Sequence, residues 1–160
     1  WGTLVSEFML QQTPVTRVIP HLDAWLSRWP TPADMARAML PGQLVGIVTA
    51  PGDRRDTDLR DVGRVCGERF DELVVYESQS RGRAVGEAVD LILKGAEEAV
   101  GMSDTLHREL EVGDAIRFGL SLCQPGDVLM FACGSSLQVF VDAIRVMDPE
   151  SADMIAAQTA

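Results

Sequence analysis

After residue 43 the apolar residues stop recurring at helical spacing and arrive in short solid blocks. Leu44-Val45-Gly46-Ile47-Val48, Leu73-Val74-Val75-Tyr76 and Val128-Leu129-Met130-Phe131-Ala132 are continuous, rich in β-branched or aromatic residues, and too short for buried helices. Blocks of this kind are strands that need cover on both faces, which only helices on either side of a parallel sheet supply. Between them the apolar period returns to three or four, in Leu59, Val62, Val65, Cys66 and Phe70, then in Val85, Ala88, Val89, Leu91 and Ile92. It returns again in Ala115, Ile116, Leu120 and Leu122, and from Leu137 to Val146. A weaker alternating run, Leu106 to Val112, predicts a strand nearer an edge. Strand and helix alternate four times, so the expected class is α/β, a three-layer and largely parallel sheet with right-handed crossovers.

The first 38 residues read differently. Leu4, Val5, Phe8 and Met9 form a short apolar face, and Thr13-Pro14 supplies a cap followed by proline at the first helical position. Val15, Val18, Ile19, Leu22, Leu26 and Trp29 continue at helical spacing, with Pro20 early in the run. Thr31-Pro32-Ala33-Asp34 repeats the cap-plus-proline start of a third helix ending near Ala38. The expected organisation is a helical segment over 1–38, a junction over 39–42, an α/β domain over 43–146 and a helical tail over 147–160.

A net charge of -10 argues against a nucleic-acid partner, because duplex affinity is largely phosphate neutralisation by Lys and Arg. The three cysteines, Cys66, Cys123 and Cys133, are far apart and in apolar company, which suits a reduced, cytoplasmic setting better than a disulfide framework. No zinc or iron–sulfur spacing is present, so no metal site and no iron–sulfur cluster are expected. No apolar run approaches the roughly 20 residues a bilayer requires, so no membrane partner is expected. Trp1 in place of Met suggests a fragment.

In an open parallel sheet, ligands bind beyond the carboxyl ends of the strands. Three loops are expected there: Pro51 to Asp56, Ser78 to Arg83 and Cys133 to Ser136. The first two carry Gly52 and Gly82, which permit close backbone approach, and Arg54, Arg55, Arg81 and Arg83, whose guanidinium groups suit phosphate or carboxylate. Asp53 is placed to accept from a ribose hydroxyl or to help hold a metal-bound phosphate. The competing reading is that these loops are solvated helix starts whose arginines pair with acids nearby. His21 and His107 have no ligand partner at metal spacing, so surface or packing roles are expected. Cys133 stands where a nucleophile can sit but has no base in reach by motif, and Ser135 and Ser136 read as helix caps.

The stretch from Leu44 to Ala96, with APGDRRD and RGR its most specific pieces, resembles the C-terminal domain of the Mur ligase superfamily, and within it the end of cyanophycin synthetases. The likeness continues from His107 to Arg145. It implies a Rossmann-like domain that closes over ATP with Mg2+ and helps to position nucleotide and an amino-acid substrate while an acyl phosphate becomes an amide. On that likeness Gly52, Asp53, Arg54 and Arg55 face the nucleotide, and Arg81, Gly82 and Arg83 meet phosphate or a substrate carboxylate. No G-x-x-x-x-G-K-[ST] occurs in the chain, so the ATP-binding central domain is missing and activity alone is not expected. The family domain's opening strand and helix are absent too, leaving a sheet edge or face short of cover.

Residues 1–38, with Ser6-Glu7-Phe8-Met9-Leu10-Gln11-Gln12-Thr13, resemble the first helices of adenine DNA glycosylases. In that family the glutamate matching Glu7 is the general acid on a flipped adenine, and Gln11, Gln12 and Thr13 match residues that touch DNA. Such an acid needs a drying pocket and a partner carboxylate, and the segments that provide them are absent here. The alternative for Glu7 is a solvated helix residue. The expected whole is a join of two unrelated pieces. Its function is either that of a ligase-derived nucleotide module, a base-excision-repair fragment acting on adenine opposite oxidised guanine, or a non-enzymatic binding module.

Overall fold

In the computed structural model, which describes residues 15–39, 42–132 and 137–159 together with Gly2 and Val5, each solid apolar block is a strand. The elements run α1 (Val15–Arg28), α2 (Pro32–Met39), β1 (Leu44–Val48), α3 (Asp56–Gly67), β2 (Glu72–Val75) and α4 (Glu87–Val100). They continue with β3 (Leu106–Arg108), α5 (Val112–Leu122), β4 (Val128–Phe131), α6 (Leu137–Met147) and α7 (Pro149–Thr159). The four strands are parallel throughout and lie in the order β3-β2-β1-β4. The chain moves outward from β1 to β3, then returns to the other side of β1, so the topological switch lies between β1 and β4.

Strand alternation divides the core in two. Val48, Leu73 and Val75 face α3 and α4, where they meet Leu59, Ala88, Val89, Ile92 and Ala96. Ile47, Val74 and Tyr76 point the other way, to Ala115 and Ile116 of α5, with Leu129, Phe131 and Phe140 packed around them. Val45, Ile47, Leu59, Val74, Val75 and Ile92 expose no surface. Burying an aliphatic side chain of this size contributes about 1.5–3 kcal/mol before entropy is subtracted, so these two layers supply most of the driving force. Helices α3 and α4 touch backbone to backbone: a Cβ on Gly63 would overlap the Ile92 carbonyl, and one on Gly95 would overlap that of Arg60.

Three expectations are corrected. The strand expected over Leu106 to Val112 ends at Arg108, and Val112 begins α5. Leu110 and Val112 stay apolar because each packs against a core layer, so the alternating pattern outlasts the strand. Val85 precedes α4 and is exposed, while Phe70 lies beyond the end of α3 and covers Gly46, whose missing side chain makes room for the ring. After α6 ends at Met147, Pro149–Thr159 forms α7.

The Thr31 start of α2 is a reciprocal cap. Thr31 Oγ1 accepts from the Asp34 N–H at 3.2 Å, and Asp34 Oδ2 accepts from the Thr31 N–H at 3.0 Å. Asp34 also pairs with Arg69, and Arg37 donates to Arg69 O and Asp71. The Asp71 carboxylate accepts the Leu44 N–H at 2.8 Å, so α2 is tied to the amino-terminal end of the sheet. The Thr31 hydroxyl, with help from Arg69, holds the Asp34 carboxyl below its ordinary value. Val5 is buried; Leu4, Phe8, Met9 and the Thr13 cap lie outside the described residues. No described helix is long and apolar enough to cross a membrane.

Candidate functional site

Parallel strands place all their carboxyl ends on one rim, and the loops after β1 and β2 meet there. The Gly52 N–H donates to Gln79 O at 3.0 Å, and a side chain at Gly52 would run into the Ser80 carbonyl. Glycine at 52 is therefore required by one loop lying against the other. The second loop turns at Ser80–Arg83, where the Arg83 N–H donates to Ser80 O at 3.0 Å. Arg81 and Gly82 sit at φ 46 and 94, the positive pair a type I′ turn demands. Nothing lies within 4 Å of where a Gly82 Cβ would be, so that position answers to conformation and leaves open space above it.

The four arginines reach the same rim but play unequal parts. Arg83 is largely enclosed, its side chain 18% exposed, and its guanidinium donates to four acceptors. Nε donates to Gly52 O at 2.5 Å, Nη2 to Arg54 O at 2.8 Å and Asp56 Oδ1 at 2.6 Å, and Nη1 to Glu87 Oε1 at 2.7 Å. It clasps the first loop to the head of α4. Arg81 donates to Asp53 Oδ2 at 3.0 Å and to Gln79 Oε1 at 2.8 Å, with both charged partners half exposed. Arg55 makes two bonds to Asp58, at 3.0 and 2.8 Å, on the open surface. Arg54 has no side-chain hydrogen bond or ion pair among the described residues, and it stands one residue before Arg55, where α3 begins without a side-chain cap.

Electrostatics follow the contacts. The Arg81 hydrogen bond holds the Asp53 carboxyl below its ordinary value, Arg55 does the same for Asp58, and Asp56 with Glu87 keeps Arg83 more firmly protonated. The rim is thus a set of exposed ion pairs around the enclosed Arg83, with Arg54 acting on Asp53 and Asp58 through its charge alone. An anion at this rim would compete with Asp53 for Arg81 and with Asp58 for Arg55.

The structure brings Gly52, Asp53 and the Arg54 carbonyl against the loop of Arg81 and Arg83, while Arg55 pairs with Asp58, Gly82 faces open space and the Arg54 side chain bonds to none of them; the pairing with nearby acids offered as the competing reading is present as well. Sequence reasoning missed Glu87 and Glu77, which accept from Arg83 and from the Gly86 N–H. Glu87 stands at i+4 from Arg83, which is the signal that was there to read. It also missed Tyr76, whose hydroxyl donates to Ala132 O at 3.1 Å and ties the end of β2 to the end of β4. Thr49 Oγ1, at the end of β1, is buried without a partner among the described residues. The third loop, with Cys133, Ser135 and Ser136, lies outside the described residues, as do Glu7, Gln11 and Gln12.

The remaining titratable candidates are accounted for by packing. His107 Nε2 lies 2.7 Å from Glu72 Oε2 and its ring meets Phe118 edge-on; His21 is exposed. Burial pushes the Cys66 thiol up to about 11, and burial with Asp127 raises that of Cys123, so neither is a poised nucleophile. Among the described residues no cluster of three His, Cys, Asp or Glu is placed to hold a metal ion.

Comparison with known proteins finds two unrelated likenesses on different segments. The chain is 39% identical over 90 residues to the cyanophycin synthetase of Crocosphaera subtropica, covering 56% of this chain and 10% of that protein. It is 49% identical over 55 residues to that of Synechocystis sp., covering 34% and 6%. An adenine DNA glycosylase of Mycolicibacterium smegmatis is 43% identical over 75 residues, covering 46% of this chain and 25% of the glycosylase. No family model matches. The chain spans a tenth or less of the synthetases and a quarter of the glycosylase. It is therefore ligase-related over one part and glycosylase-like over another.

Proposed function

We propose that the α/β part of this chain is a nucleotide- and amino-acid-positioning domain of an ATP-dependent amide ligase of cyanophycin synthetase type. It works in the cytoplasm beside an ATP-binding domain supplied by the rest of such a ligase, and it has no ligase activity alone. The observation that carries the reading is the contact between Arg81 and Asp53, which joins two loops 28 positions apart into one arginine-lined rim. Phosphate groups of ATP fit the rim at Arg54 and Arg55, next to the uncapped head of α3, where backbone dipoles favour negative charge. Mg2+ has no three-acid cluster to receive it among the described residues, so it would arrive on the nucleotide. Bound ATP supplies the acyl-phosphate chemistry; this chain's residues hold and orient the phosphates and the incoming amino acid.

Isothermal titration of the chain with ATP or ADP and Mg2+ tests the reading. Binding is expected in the native chain and is expected to weaken when Arg54 and Arg55 are replaced together by Ala. Unchanged affinity in a folded Arg54→Ala, Arg55→Ala variant removes the site.

The glycosylase likeness supports a second reading, in which residues 1–38 come from a base-excision-repair enzyme with Glu7 as its acid. It predicts adenine release from a duplex carrying adenine opposite oxidised guanine, lost in Glu7→Gln. A purified chain that leaves this duplex intact excludes it.

A further inference from the structure

We propose that Asp53 makes Arg81 selective for a phosphate group over a carboxylate, by serving as its resident carboxylate. The proposal rests on reading the rim as an anion site and names which anion its Arg81 subsite takes. The Asp53–Arg81 pair is delivered by bonds that involve neither side chain: Gly52 N–H to Gln79 O, and Arg83 to Gly52 O and Arg54 O. Asp53 therefore faces Arg81 at a high effective concentration, on the order of millimolar or above. A free carboxylate reaching Arg81 exchanges like for like, with the same charge and the same two acceptor oxygens, and gains nothing over the tethered one. A phosphate group brings up to two charges and three acceptor oxygens.

Arg54 gives that surplus somewhere to go, since its guanidinium has no hydrogen bond among the described residues and its charge already acts on Asp53 in the same loop. The Asp53–Arg81 pair is about half exposed on both sides, so displacing it is cheap. Arg83 is excluded as the receptor because four acceptors already hold it.

The test titrates the full chain with inorganic pyrophosphate and, separately, with malonate, in the native form and as Asp53→Asn, Arg81→Gln and the double variant. Asp61→Asn, an exposed acid paired with Arg64 farther along α3, is the control for a general loss of negative charge. Pyrophosphate is expected to bind more tightly than malonate in the native chain. Asp53→Asn is expected to tighten malonate about twofold to fivefold, the scale set by an exposed pair, and pyrophosphate less, so that the preference shrinks, with no gain from Asp53→Asn once Arg81 is Gln. A gain no larger than that of Asp61→Asn, a pyrophosphate preference undiminished in Asp53→Asn, or malonate binding the native chain as well as pyrophosphate, overturns the proposal and leaves the anion site standing. A preference that shrinks in Asp53→Asn, with no ATP binding in any form, supports the selectivity and removes the nucleotide reading. Neither anion binding the native chain or Asp53→Asn overturns both.

Discussion

Arg83 and Asp56, 27 positions apart in the chain, meet at 2.6 Å across the head of α3, and the same guanidinium nitrogen holds the Arg54 carbonyl at 2.8 Å. One side chain thereby fixes the backbone that carries Arg54, the arginine left open to a ligand. Arg83, one of four arginines expected to meet an anion, holds the loop that carries Arg54.

Arg83→Ala is accordingly expected to lower the urea midpoint of unfolding more than Arg81→Ala or Arg55→Ala, whose own side chains are exposed and hydrated where that of Arg83 is enclosed. Arg83→Lys should recover only part of the loss, because an ammonium cannot reproduce a fork spread over Gly52, Arg54, Asp56 and Glu87. Equal midpoints for the Arg83→Ala and Arg81→Ala variants would show that the clasp carries no structural weight.

The two loop glycines make opposite demands, and paired substitutions separate them. Gly52→Ala must push Ser80 away, with an expected cost of about 1–3 kcal/mol for a Cβ forced into packed backbone. Gly82→Ala meets open space and carries only the cost of a left-handed backbone, about 1 kcal/mol. Chemical denaturation of both variants checks the order. A Gly82→Ala variant less stable than Gly52→Ala would mean that the loops do not lie against each other as described.

The strands were legible because a block buried on both faces has to be apolar at every position, a pattern that Leu44–Val48 displays without help from context. The end of β3 was not, since Leu110 and Val112 stay half-buried against the core after the backbone has left the sheet, and burial is what periodicity reports. At the rim, residue types and glycines announced the loops. Which acid each arginine takes was hidden, because it is decided by the Ser80–Arg83 turn, which sends Arg81 to Asp53 and Arg83 to Asp56. The enclosure of Arg83 had one local trace, Glu87 one helical turn ahead.

Acid should destabilise the fold in a defined window. Asp34, Asp53, Asp58 and Asp148 are all held below their ordinary values, chiefly by hydrogen bonds from Thr31, Arg81, Arg55 and Ser151 respectively. A carboxylate with a depressed folded value contributes stability that is present above the unfolded value, about 3.9, and is lost as pH falls through the lower folded one. The thermal midpoint is expected to hold above about pH 5 and to fall below about pH 4, less steeply in Asp34→Asn. A midpoint flat from pH 5 to pH 2.5 would contradict the assigned hydrogen bonds.

The join between α2 and the sheet turns on Asp71 more than on its partner. Arg37 and Asp71 form a bidentate pair at 3.1 and 3.2 Å, but both side chains are more than a third exposed, which places the pair itself at about 0–1 kcal/mol. Asp71 has a second task, accepting the N–H of Leu44 at the start of the fully buried β1. Asp71→Ala strands that donor, at a cost of about 1–3 kcal/mol, while Arg37→Ala leaves it satisfied. Equilibrium unfolding should therefore rank Asp71→Ala well below Arg37→Ala, and the double variant should be little worse than Asp71→Ala alone. Two single variants of equal stability would mean that the carboxylate serves only as the docking point for α2, and that the head of β1 needs no side-chain acceptor.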